Sequence, residues 1–314
     1  MMKNDPTKEI RKKYAPVFRP LTRKGPVQAG ITLGVYLFLI IISIVAGTFS
    51  LHASTPLTHI TTVVLSIFIA TRLRGINNIV HECSHASFTH SRKWNTIYGC
   101  VAAAILMKSF RTYRLEHRTH HAHLGQYKQD LDFRNIEDYR LEDQMTTRTV
   151  FRHAITPLLG LHLRRYLQFD LSLNDGFRYA ALKAAILYAA AFFAFNLLTA
   201  ALAFVIIPFV WIHPALNYWT DCIDHGGLLG NKDEIWRSRN VRVPLLPRIM
   251  FFPRNDAYHL VHHLFPGVPV EHLGRCHNLL MQDNVYRANH RRVNAPFEQA
   301  QTPADRDADQ SPAP

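Results

Sequence analysis

Cysteine is scarce in this chain of 314 residues, and its spacing excludes more than its number does. Cys83, Cys100, Cys222 and Cys276 form no CxxC pair. Neither a disulfide framework nor a cysteine-based zinc site is expected from them, and no cysteine set for an iron–sulfur cluster is present. There is no GxGxxG, no haem-binding domain and no nucleic-acid motif. Acidic residues are outnumbered, 23 against 36 Lys plus Arg, for a formal net charge of +13. The basic first 26 residues contain no apolar core, so no cleaved signal peptide is expected. Charge is missing altogether between residues 27 and 49.

Long apolar runs are what the chain has instead. Hydrophobic residues make up 48 %, gathered into stretches separated by loops rich in Lys, Arg and His. Residues 27–49 match a hydrocarbon core roughly 30 Å thick when helical. Residues 57–75 form a second span, whose helix runs on through Arg72 and Arg74. The nearly uncharged stretch from Ala180 to Trp219 is twice one span long. It divides near Asn196 to Thr199 into spans at 178–196 and 198–218. Thr96 to Met107 is too short to cross and is expected to be buried, re-entrant or interfacial. The result is an all-α integral membrane protein with four transmembrane helices in two hairpins, 27–293, under a cytoplasmic helical cap. A basic leader precedes it at 1–26, and a disordered tail follows at 294–314. The positive-inside rule puts both termini and the cap in the cytoplasm, with the whole in the cell (inner) membrane.

Histidine supplies the chemistry. His117-Arg118-Thr119-His120-His121 places imidazoles at i, i+3 and i+4, and His259-Leu260-Val261-His262-His263 repeats the pattern. His81 and His85 form an i, i+4 pair. Eight nitrogen donors exceed what one metal takes, and two metals use eight or nine. His225, just past the last span, is the candidate ninth. Neutral imidazole suits Fe, Zn, Cu and Ni. Glu82, Glu116, Asp221, Asp224 and Asp256 are candidates to offset metal charge and to hold the outer ring N–H groups. Lone histidines such as His52, His90, His153, His272 and His277 are read as ordinary surface or core residues. His123 and His213 are the last two to set aside.

His81-Glu82-Cys83-Ser84-His85, His117 to His121 and His259 to His263, interleaved with two hairpins, resemble the three histidine boxes of the membrane fatty acid desaturase and hydroxylase superfamily. Gln129-Asp130-Leu131-Asp132-Phe133 and Leu264-Phe265-Pro266-Gly267-Val268-Pro269 are similar to that family's continuations. The resemblance spans about residues 27–285. It implies two iron ions held by His81, His85, His117, His120, His121, His259, His262 and His263. His225 takes the place of a further histidine, and Asp221 stands where acyl desaturases carry Asn. Asp221 and Glu82 are the candidate catalytic carboxylates. The resemblance also implies an O2-dependent oxidase that desaturates a fatty acyl chain, with hydroxylation, decarboxylation or a small substrate as alternatives. Electrons then come from a separate donor of ferredoxin or cytochrome b5 type, whose acidic surface docks on the basic face.

Two rival readings explain less. His81-Glu82-Cys83-Ser84-His85 also fits HExxH, a zinc peptidase motif, but that leaves six clustered histidines without a purpose. A metal transporter would place its ligands near the middle of the bilayer, whereas these clusters lie outside the spans.

Overall fold

The computed structural model describes residues 5–53, 55–241 and 243–298, and among these it contains helices and loops but no strand. Helix α1 (Pro6–Phe18) is not a loose leader. Its Ile10 and Phe18 are buried in a cluster with Leu260, Leu264 and Leu273. Each such side chain stabilises the fold by about 1.5–3 kcal/mol. Helix α2 (Pro26–Leu51) begins with proline at its first position, where the missing N–H has no helical partner to lose. Helix α3 (Pro56–Ser84) is 29 residues long, roughly 43 Å at about 1.5 Å per residue. That exceeds the hydrocarbon thickness, so the continuous helix predicted from span to first histidine pair is physically accommodated. His85 is the residue that caps it. A Cβ on Gly75 would strike the Tyr36 ring, so glycine lets α2 and α3 approach closely. The Tyr36 hydroxyl then donates to the Pro253 carbonyl at 3.1 Å.

Helix α4 (Arg92–Ile105) carries the run judged too short to span. It packs along α3 and buries Ala102, Ala103 and Ala104. Helices α5 (Phe110–His123), α6 (Thr147–Ile155) and α7 (Leu163–Tyr166) follow. Helix α8 (Phe177–Asn196) ends at Leu197, a non-helical residue at φ −140°, inside the stretch where the division was placed. Helix α9 (Leu198–His225) then runs past the expected limit of 218. Two of its segments, Leu202–Ile206 and Pro208–Ile212, are wound as π-helix. Pro208 has no N–H and its ring crowds the preceding turn; a widened turn relieves that. Helices α10 (Leu245–Phe251), α11 (His259–Leu264), α12 (Leu273–Leu280) and α13 (Asn284–Glu298) complete the described chain. The rest of the expected tail, 299–314, lies outside the described residues.

Among the described residues, four helices, α2, α3, α8 and α9, are long and apolar enough to cross a membrane. The protein covers 67 % of the apolar window of α3 but only 6 % of that of α8. Phe192 and Phe195 stand exposed on α8, as do Phe38 and Ile41 on α2. Apolar faces of this extent need an apolar solvent. The protein is accordingly a membrane protein whose central helix is α3.

Candidate metal centre

Two of the histidine-bearing helices are fixed from outside. At the start of α5 the Asp175 carboxylate accepts the backbone N–H groups of Phe110 at 2.7 Å and Arg111 at 3.0 Å. A negative charge there satisfies orphan donors and complements the helix dipole. Helix α11 has six residues, too few to persist alone. Arg11 of α1 steadies its other end by donating to the carbonyls of His263 at 2.9 Å and Leu264 at 3.1 Å.

Helical geometry then divides the histidines. His117 and His121 differ by about 40° around α5, while His120 lies about 60° to the other side. The donor atoms accordingly form two groups. His81, His85, His117, His121 and His262 make one; His120, His225, His259 and His263 make the other. Within each group all donor atoms lie within 4.8 Å of one another. The Nε2 atoms of His121 and His117 are 3.1 Å apart, and those of His262 and His121 3.0 Å. In the second group the Nε2 atoms of His259 and His225 are 2.9 Å apart, and those of His263 and His259 3.0 Å. Two nitrogens at right angles, each about 2.1 Å from one ion, sit about 3.0 Å apart. The spacing is that of neighbours on one coordination shell.

The outer ring nitrogens decide which lone pairs face inward. His117 Nδ1–H donates to Asp132 at 2.9 Å and His120 Nδ1–H to Asp130 at 3.0 Å. His225 Nδ1–H donates to the Arg237 carbonyl at 3.0 Å. A ring that donates from Nδ1 keeps a bare lone pair on Nε2, as a metal requires. His85 Nε2 is buried with no hydrogen-bond partner, an orphan that an ion would satisfy. Burial, reinforced by the neighbouring imidazoles, holds His121, His259, His262 and His263 well below the ordinary histidine range, hence neutral. His117 is also lowered by burial, against the pull of Asp132. At Asp132 burial works upward, but the hydrogen bond from His117 prevails and holds the carboxyl down at about 2. His120 is raised, because Asp130 outweighs burial; a cation among the four nitrogens reverses that preference. The donor set thus fits two metal ions.

Comparison with known proteins gives the family. The fatty acid desaturase family pattern matches residues 56–294. The chain belongs to the fatty acid desaturase family. It is 26 % identical over 240 residues to dihydrorhizobitoxine desaturase of Bradyrhizobium elkanii, covering 70 % of this chain and 68 % of that protein. It is 26 % identical over 220 residues to a chloroplastic omega-3 fatty acid desaturase of Glycine max, covering 62 % of this chain and 48 % of the relative. Against oleoyl-12-hydroxylase FAH12 of Ricinus communis it is 29 % identical over 133 residues, covering 41 % and 34 %. The chain therefore spans about half or less of the length of these two plant relatives.

The desaturase-family centre gathers all nine histidines named from the sequence, but the carboxylates are differently deployed. Glu82 was expected to be catalytic. Instead both its oxygens are taken by the buried Arg254 guanidinium, so it forms an ion pair beneath the first box. That engagement also deprives the peptidase reading of its free base. Asp256, expected to support the histidines, accepts from Asn78 at 2.8 Å and pairs with Arg74 at 3.4 Å. Asp224 approaches His259 Nδ1 at 3.5 Å. Asp221 lines the cavity beside the histidines and accepts from the Tyr166 hydroxyl at 2.8 Å; it lies outside both nitrogen groups. Glu116 is pushed up to about 7 by burial and by Asp132 beside it. The partners of the rings are chiefly Asp130 and Asp132. The sequence marks them only as part of the continuation after the second box, and that position was the available signal. His213 bonds Asn217, and His153 bonds Tyr218, consistent with ordinary core roles.

Proposed function

We propose that this protein is a membrane di-iron oxidase that removes hydrogen from an unactivated C–H bond and leaves a double bond. The observation that carries the reading is the pair of inward-facing imidazole groups, five and four, with neighbouring Nε2 atoms about 3 Å apart. His81, His85, His117, His121 and His262 would hold one iron; His120, His225, His259 and His263 would hold the other. Bound iron supplies the redox chemistry, using O2 and electrons delivered by a separate protein donor. The chain's own contribution is geometric. Asp130, Asp132 and the Arg237 carbonyl fix ring orientation, and α11 is clamped by Arg11. The cavity beside the rings, about 250 Å³, positions the carbon to be oxidised and limits water. Hydroxylation is the second reading, favoured by the likeness to a relative named as a hydroxylase. An acyl chain is the substrate that the family name implies, though the cavity chemistry below points elsewhere.

Orientation is part of the same proposal. The turn between α2 and α3 carries no Lys or Arg, whereas Arg72, Arg74, Arg92 and Lys93 flank the opposite ends of these helices. The positive-inside rule then places the metal centre, both termini and the basic face in the cytoplasm of a cell membrane. A donor with an acidic surface suits that face, and raising ionic strength should slow turnover with it. Metal analysis tests the core of the reading. Purified protein should carry two irons per chain, and His121→Ala should lose iron and substrate-linked O2 consumption while still inserting. Zinc at one per chain, or full activity in that variant, would refute it.

A further inference from the structure

The cavity at the histidines has a wall that an acyl chain does not explain. It is lined by His81, His117 and His262 from one group and by His120, His225 and His259 from the other. Its remaining lining is strongly polar. Lys108 reaches in from the loop between α4 and α5, where its ammonium donates to Asn77 Oδ1 at 3.2 Å. No carboxylate forms an ion pair with it among the described residues. Arg74 comes from α3, held by Asn217 at 3.3 Å and Asp256 at 3.4 Å. Its Nε also donates to the Phe251 carbonyl at 3.4 Å; all three contacts are long, and a guanidinium has five donors. Asp132, Asp221 and Asp224 face the same space, and Arg134, Arg164 and Arg165 also line it. Methylenes laid along such a wall strip water from ionised groups and return no hydrogen bond. A carboxylate returns charge-assisted ones to Lys108 and Arg74. The volume, about 250 Å³, lies just below the range that takes drug-sized ligands, about 300 Å³ upward.

We propose that the substrate of this centre is a small, water-soluble carboxylate, its anionic end held by Lys108 and Arg74 and its oxidised carbon set beside the histidines. This rests on the oxidase reading and names its substrate class. Two arms test it on the full-length, iron-loaded protein. In the first, thermal stability is followed with a panel of soluble carboxylates of about four to six carbons, with and without an amino group, and with palmitate in parallel. A soluble acid should stabilise the wild type. Lys108→Met should weaken that binding about tenfold or more at unchanged iron content, and Lys108→Arg should restore part of it. Stabilisation by palmitate alone, or binding that survives Lys108→Met undiminished, overturns the proposal. In the second arm, aqueous and lipid extracts of cells with and without the protein are compared by mass spectrometry. A dehydrogenated or hydroxylated acid in the aqueous extract supports it. A new product confined to the lipid extract, with two irons per chain, overturns the substrate class and leaves the oxidase reading standing. Iron-free protein with no product in either extract overturns the oxidase reading itself.

Discussion

The two imidazole groups both draw on α5 and α11, with α3 completing one and α9 the other, yet they are anchored to different degrees. In the group of four, His120 is held by the fully buried Asp130, His225 by a backbone carbonyl, and His259 lies near Asp224. In the group of five, Asp132 supports only His117; His121 Nδ1 is buried without a partner, as is His263 Nδ1 in the group of four. The smaller group is oriented by the protein; the larger one leans on the convergence of its own rings. A metal contributes more order to the second kind of site than to the first, because fewer rotamers are fixed before it binds.

The largest test separates adjacent residues. His262 and His263 are neighbours in sequence but belong to different groups. His262→Ala and His263→Ala should each lower iron content towards one per chain and abolish activity, leaving helix content intact by circular dichroism. Two irons retained by either variant would dissolve the division. Next in size is the ion pair beneath the first box. Glu82→Gln leaves Arg254 buried and uncompensated, which should cost about 3–5 kcal/mol of stability. Thermal unfolding in detergent would show it, and the surviving folded protein should keep its iron. Smaller effects follow from the ring partners. Asp130→Asn should weaken iron retention about 10–100-fold in chelator competition. Asp132→Asn should act less, since the side chain of Asp132 is 32 % exposed and that of Asp130 fully buried. A reversed ranking would mean that anchoring does not differ as described.

The smallest effect concerns a histidine outside both groups. His153 is held down at about 4 by burial, with Arg152 adding to it. Its folded value lies below the unfolded one, so the neutral ring's contribution is present above about 6.5 and is lost as pH falls towards 4. His153→Asn should therefore lose less stability than the wild type between pH 7 and pH 5, by on the order of 2 kcal/mol. Equal losses in both would show that the metal groups alone govern acid sensitivity.

Much of this was legible in the residues. Uncharged stretches of the right length located four helices, because hydrocarbon tolerates neither charge nor open backbone. The i, i+3, i+4 spacing marked the ligand-bearing helices, since helical periodicity is local. The π-helical turns of α9 were not legible, because a proline announces a disturbance but not how the helix absorbs it. The fates of Glu82 and Asp256 were not legible either. Their partners, Arg254 and Arg74, lie more than 170 residues away, and only packing decides which cation a buried carboxylate meets.

The sequence by itself determined the medium, the helices and the identity of the nine imidazoles, because hydropathy and periodicity act over a few neighbouring residues. The tertiary structure alone decided how those imidazoles divide between two centres and which carboxylates orient them. It also decided that a wall rich in charged side chains of both signs, rather than an apolar one, stands beside them. Those outcomes depend on distances between segments far apart in the chain, which close packing sets and no local pattern encodes.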